Sequence, residues 1–206
     1  MIQSIVLVLA GLTFSGTPGE NPHPWVKVNE DQGLVIWNRD VPGSKIRELK
    51  AVTVVDFPVE KIWAVIDDIE KYIEFMPYLE EVRVLEKEPN KVVAYHRLQT
   101  PLVSARDYTL LIESKPVPEK REYFRSWKIA KGAGPQIKEG VVRVPVCDGS
   151  WTLKSVGPKK THLTYFLRTH PGGSVPMWIA NKANTVSLPA LFEAITNRTR
   201  DSSWTR

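Results

Sequence analysis

The stretch from Leu79 to His170 constrains this chain most. It holds seven segments rich in β-branched and aromatic residues: "LEEVRVLE", "KVVAYHRL", "RDYTLLIES", "REYFRSWKIA", "EGVVRVPV", "DGSWTLKSV" and "THLTYFLRTH". The gaps are short turns such as "EPN", "KPVPEK" and "VGPKK". None is long enough for the helical crossover that parallel strands need, so the run predicts an antiparallel meander. Upstream, "GLVIWNRD" reads as a strand ended by the turn "VPGS", and "KIRELKAVTVV" as a second, with Ile46, Leu49 and Val52 interrupting strict alternation. The period then changes. In "FPVEKIWAVIDDIEKYIEFMP", Val59, Ile62, Trp63, Ile66 and Ile69 recur at helical spacing, Pro58 suits a first helical turn, and Pro77 stops a second short helix around Tyr72, Ile73 and Phe75. The tail "SVPMWIANKANTVSLPALFEAITNRTR" is helical again. Ile179, Val186, Ala190 and Ile195 fall roughly on one stripe, and Pro189 is expected to bend it. Strands, a helix pair, more strands and one long final helix make an α+β arrangement in which a curved antiparallel sheet wraps one amphipathic helix.

At 206 residues, 42% of them hydrophobic, the chain suits one domain with a real core. Lys and Arg exceed Asp and Glu by 28 to 23, a net +5 spread through the sequence. That favours transient contact with anionic surfaces such as a phospholipid membrane. The basic residues are not gathered with aromatic ones on a stripe, so nucleic acid is not an expected partner. A monomer is expected. The lone Cys147 excludes an internal disulfide and a Cys-based zinc site, and reads as a small apolar filler.

Residues 1–16, "MIQSIVLVLAGLTFSG", carry no charged side chain and pass from an apolar run into small residues near Ser15. This resembles a secretory signal peptide, without Lys or Arg in its first residues. Export places the mature protein in the periplasm or outside the cell; if the run is instead a hydrophobic first strand, the protein is cytoplasmic. Residues 17–24 read as a Pro-rich linker, 25–200 as the domain and 201–206 as a tail.

Motifs for catalysis are missing from the sequence. His23, His96, His162 and His170 form no HExxH pair, and there is no G-x-S-x-G elbow, P-loop or G-x-G-x-x-G turn. No cofactor and no metal are expected.

Trp25, "PVEKIWAVIDDIEKYIEFMP", "PLVSARDY" (101–108), "VRV" (142–144) followed by "GSW" (149–151), and "GGSVPMWIAN" (172–181) occur in one colinear order. The ordered set resembles the START domain, the steroidogenic-acute-regulatory-related lipid-transfer fold, in its bacterial branch, within the wider helix-grip or Bet v 1-like superfamily. The resemblance covers residues 25–200. It implies a helix-grip fold, an internal tunnel for one lipid-sized molecule such as a sterol, a fatty acid or another lipid, and a final helix that acts as a lid. It also implies a carrier rather than an enzyme, although polyketide cyclases and aromatases share the wider fold. His96, Arg125 and Tyr165 are the residues such an enzyme would recruit.

In the family the Arg-Asp-aromatic motif begins a cavity-lining strand. The resemblance therefore puts Tyr108, Leu110 and Ile112 toward the tunnel, with Arg106 near its end, either fastening the strand to a loop or anchoring a polar ligand group. Some relatives place a second arginine six residues on; here that position is Ile112, and around Val93 and Tyr95 on the preceding strand there is no acidic partner. The departure points to a ligand with few polar atoms. Tyr95 joins the candidate wall from the preceding strand, and alternation adds Tyr123, Arg125 and Trp127, then Trp151, then Leu163 and Tyr165, with Trp178, Ile179, Val186 and Ala190 from the helix. Alternation separates inward from outward positions but not cavity from solid core. A ligand hiding ~500 Å² of apolar surface gains about 12 kcal/mol gross at ~25 cal/mol/Å², less several kcal/mol for immobilisation. Micromolar binding then needs no salt bridge.

Overall fold

In a computed structural model of the chain, residues 22–100 and 103–201 are described. The signal-like segment, linker residues 17–21, Pro101 and Leu102 of the "PLVSARDY" motif, and residues 202–206 lie outside them.

Hairpin chemistry sets the sheet. Asn90 takes φ 63°, a left-handed conformation that asparagine tolerates, and turns β4 (Leu79–Glu88) back into β5 (Lys91–Leu98). Next come β6 (Ala105–Val117) and β7 (Glu122–Ile129), then, beyond a long excursion, β9 (Val146–Gly157) and β10 (Lys160–His170). Before them lie β1 (Val26–Asp31), β2 (Leu34–Asp40) and β3 (Arg47–Val55). The strands form one curved antiparallel sheet in the order β1-β2-β3-β10-β9-β7-β6-β5-β4. The meander is broken once. "EGVVRVPV" does not form a full strand, because Pro145 has no N–H to donate; only β8 (Val141–Arg143) pairs, and it runs parallel to β6 off the main path. β1, an edge strand with every residue exposed, alternates only over Val26–Asn29 and is too short and polar to stand out in the sequence.

Helix α1 (Val59–Asp67) starts after Pro58 and buries Val59, Ile62, Val65 and Ile66; a 3₁₀ turn, Ile69–Glu74, follows. The final helix α2 (Met177–Arg200) contains Pro189 and buries Ala180, Leu188, Phe192, Ile195 and Thr199. The inward stripe is therefore not the expected one. Trp178 is 70% exposed and Val186 66%, and Ile179 is exposed too, so of the four anticipated stripe positions only Ile195 is fully buried.

Two clusters divide the interior. At one end α1 and the second half of α2 meet the sheet, with Leu49, Ala51, Leu153 and Leu163 packed against Ile62, Ile66, Phe192 and Ile195. Burying each such side chain stabilises by about 1.5–3 kcal/mol. At the other end Ile69, Ala94, Leu110, Ile112, Val144 and Cys147 form a second cluster. No helix of the described residues is long and apolar enough to cross a membrane.

On the outer face of the sheet, Asp107 is fully buried. It accepts hydrogen bonds from Arg143 Nε at 2.6 Å, Arg143 Nη2 at 2.9 Å and the Tyr95 hydroxyl at 3.2 Å. Arg143 Nη2 also donates to the Pro135 carbonyl at 2.9 Å, and the Val144 amide to the Asp107 carbonyl at 2.9 Å. The buried carboxylate thus staples the excursion between β7 and β9 to β6; isolated in that position it would be costly.

Candidate functional site

Between the sheet and the first half of α2 lies a cavity of about 370 Å³. Strand period builds most of its wall. Arg106, Tyr108, Leu110 and Ile112 alternate along β6 and face it together, and the β5–β6 register brings His96 opposite Tyr108 and Leu98 opposite Arg106. Arg125 and Trp127 enter from β7, Trp151 from β9, and Tyr165 and Leu167 from β10. Tyr72 and the Met76–Leu79 segment close one side. Helix α2 contributes Ala183, Asn184, Ser187 and Leu191. Among the described residues no Asp or Glu side chain lines the space.

Gly149 makes this wall possible. It pairs with Trp127, and a Cβ there would sit 2.2 Å from Trp127 Cζ2 and 2.5 Å from the Phe166 carbonyl oxygen. Only a residue without a side chain lets the indole lie across β9. Trp127 then packs beside Tyr165, ring centroids 5.6 Å apart, and Tyr165 beside Trp151 at 4.5 Å.

The polar atoms of the wall differ in how far they are committed. Arg125 is 3% exposed and spends its guanidinium on three partners: Ser114 Oγ at 3.0 Å, the Ile66 carbonyl and Asp67 Oδ1. It also lies over Trp63, 4.9 Å from the ring centroid. It ties β7 to the end of α1. The Tyr72 hydroxyl donates to the same Ile66 carbonyl at 2.5 Å. Arg106 donates to the Ser104 carbonyl, fastening its strand to the preceding loop while still facing the cavity.

His96, by contrast, is 4% exposed, and its Nδ1 has no hydrogen-bond partner. Burial pushes its pKa down to about 4, so the ring is neutral at physiological pH. Neither Tyr108 nor Tyr165 makes a side-chain hydrogen bond among the described residues, and burial raises both phenols. Burial likewise pushes the Cys147 thiol up to about 12. Among the described residues no group of three or more His, Cys, Asp or Glu side chains is placed to hold a metal ion.

Of the anticipated wall, Arg106, Tyr108, Leu110, Ile112, Arg125, Trp127, Trp151 and Tyr165 come together. Seven others lie elsewhere. Tyr95 is fully buried on the opposite face, with Asp107, because the β5 register turns His96 inward instead. Tyr123 stacks on Trp63 at 5.1 Å, and Leu163 packs in the solid core under α1. Trp178, Ile179 and Val186 point to solvent, and Ala190 is half-buried off the wall. The wall residues missing from the anticipated set include His96, weighed only as an enzyme's residue, Tyr72, Leu98 and the helix residues Ala183, Asn184, Ser187 and Leu191. The signal for His96 lay in its register with Tyr108, which sequence alone does not fix.

A sequence model of the family described as polyketide cyclase / dehydrase and lipid transport matches residues 55–196. An uncharacterised protein of Pseudomonas aeruginosa is 27% identical over 175 residues, 84% of this chain and 86% of its own length. The mouse phosphatidylcholine transfer protein is 25% identical over 170 residues, 80% of this chain and 78% of that one. Among solved structures, a STAR-related lipid transfer protein of Xanthomonas axonopodis superposes with a TM-score of 0.77 at 22% identity, covering 86% of this chain and 99% of the other. Sheet order, gripping helix and a match over most of the domain agree: the chain belongs to the polyketide cyclase/dehydrase and lipid transport family and has the START helix-grip fold.

Proposed function

We propose that the protein binds one apolar, lipid-like molecule in the cavity under α2 and carries it through water. The observation that carries this reading is the space itself: about 370 Å³ walled largely by aromatic and aliphatic side chains, where a core of the same residues would ordinarily close-pack. The family description includes lipid transport, and two of the similar proteins above are named for lipid or phosphatidylcholine transfer.

Loading needs a door, and α2 supplies one. Gly172 and Gly173, at φ +70° and +62°, let the chain turn sharply from β10 toward the helix, and Pro189 removes one helical hydrogen bond. Delivery to an anionic bilayer is served by the outer face of α2, where exposed Trp178 and Val186 stand with Lys182 beside Lys45 and Arg47. Arg198 is turned to Glu74 at 2.7 Å and takes no part.

Native mass spectrometry of protein purified from its own host tests the reading: a stoichiometric apolar adduct is expected. Empty chains that also fail to take up a fluorescent sterol or fatty acid refute it.

A second reading, a polyketide cyclase using the same cavity, is favoured by the family description and by the uncommitted His96 and Tyr165. It requires turnover of a poly-β-ketone chain that falls on His96→Ala or Tyr165→Phe. Product formation unchanged in both variants removes it.

A further inference from the structure

We propose that the cavity selects an uncharged single-chain or fused-ring molecule bearing one hydroxyl or carbonyl oxygen, held at its inner wall by His96 with Tyr108. The inference rests on the carrier reading above and specifies its ligand.

Three observations lead to it. His96 is 4% exposed and faces the cavity; the Ala94 carbonyl lies near its ring, but no aligned hydrogen bond reaches Nδ1. A buried polar atom in that state is uncommon and is completed by something the protein itself does not supply. Second, the groups around it are of one kind. Tyr108 stands opposite His96 in register, ring centroids 5.5 Å apart, and Tyr72 lies 6.5 Å away on the other side. Tyr72 is committed to Ile66, whereas the Tyr108 hydroxyl has no partner among the described residues. A neutral imidazole offers one donor and one acceptor nitrogen, and a phenol hydroxyl donates or accepts. A ligand hydroxyl complements both functions, and a carbonyl one of them.

Third, the wall beside His96 and Tyr108 has nothing for a charge. Among the described residues no carboxylate lines the cavity, and all three nitrogen centres of Arg125 are bound to Ser114, Ile66 and Asp67; Arg106, bound through Nη1 to Ser104, stands two residues along β6 from Tyr108. A carboxylate or ammonium carried to the inner wall would be desolvated without a counterion. Size adds a limit. The volume of about 370 Å³ sits near the lower end of the ~300–1,000 Å³ usual for small-molecule sites, which suits one chain or one ring system rather than two acyl chains.

The test displaces a solvatochromic probe, 1-N-phenylnaphthylamine, from the full-length protein at pH 7 with dodecanol, dodecanoate and dodecylammonium. Dodecanol is expected to bind about tenfold tighter than either ion. His96→Phe and Tyr108→Phe each weaken dodecanol by roughly tenfold, and the preference over dodecanoate shrinks with it. Far-UV circular dichroism confirms that each variant is folded, and two variants on separate strands guard against a local packing defect in one. Dodecanoate binding as tightly as dodecanol, or both variants holding dodecanol as the parent does, overturns the assignment while leaving a carrier. Failure of the probe and all three ligands to bind overturns the carrier reading itself.

Discussion

Acid should destabilise this protein through His96 before it reaches the carboxylates. In the unfolded chain the imidazole takes a proton near its ordinary 6.5; in the fold, burial holds it neutral until about 4. Between those values the unfolded state binds more protons than the native one, so stability falls as pH falls. At ~1.4 kcal/mol per pH unit, most of that interval is crossed between pH 7.5 and 4.5, and the loss is about 2.5 kcal/mol. For a chain of this size each kcal/mol moves the midpoint by ~2–4 °C, which puts the drop at about 5–10 °C. The lowered carboxyls of Glu60, hydrogen-bonded to Arg121, and Glu74, hydrogen-bonded to Lys71, act in the same direction. Both are exposed, and their contribution is lost only as pH falls through and below the usual carboxylate range. Thermal melts by circular dichroism at half-unit steps from pH 7.5 to 4.5, for the parent and His96→Phe, separate the two. The parent slopes downward from about pH 6.5, and the variant stays flat until the carboxylates titrate. A variant that keeps the parent's slope would refute the reasoning, because the proton uptake would then belong to another group.

Four further outcomes follow from the geometry. Gly149→Ala drives a methyl into Trp127 and the Phe166 carbonyl, so urea unfolding should show a loss of about 1–3 kcal/mol with altered tryptophan emission; an unchanged midpoint contradicts the close approach. Asp107→Asn leaves Arg143 facing a neutral amide and, with Arg143 partly solvated, should cost about 2 kcal/mol in the same assay. Cys147, its thiol pushed up to about 12, should resist Ellman's reagent at pH 8 in the native protein and react promptly in guanidinium; rapid native labelling would mean the wall is open to solvent there. Trp178→Ser and Val186→Ser should each change stability by no more than ~0.5 kcal/mol, since both side chains already face water.

What was legible in the sequence follows from which rules are local. Two-residue alternation puts Arg106, Tyr108, Leu110 and Ile112 on one face without any knowledge of partners, because the pleat alone decides it, and the family resemblance turned that face to the cavity. It failed on β5, where Val92, Val93, Ala94 and Tyr95 are all apolar, so composition does not distinguish the faces and only pairing with β6 turns His96 inward. It also could not separate Leu163 from Tyr165, neighbours on one face, of which the first meets α1 and the second a void. The helix misled for a different reason. A face that covers empty space is lined by Ala183, Asn184 and Ser187, small or polar, while the bulkier Trp178 and Val186 sit outside. Hydrophobicity reports burial against atoms, and a helix roofing a cavity buries little. For Asp107 alternation gave the direction, away from the tunnel, but its partner Arg143 comes from a stretch that read as an ordinary strand.

The two halves of α2 are fastened unequally. Before Pro189 the fully buried residues are Ala180 and Leu188; after it come Phe192, Ile195 and Thr199, set against α1 and the sheet. Lifting the first turns exposes little apolar surface, whereas freeing the last ones strips the centre of the fold. A helix so mounted behaves as a cantilever, with its fulcrum near the proline. On the carrier reading proposed above, the end before it, tied to Lys45 and Arg47 only through Asn181, is the part that swings to admit a guest while the rest of the molecule keeps its stability.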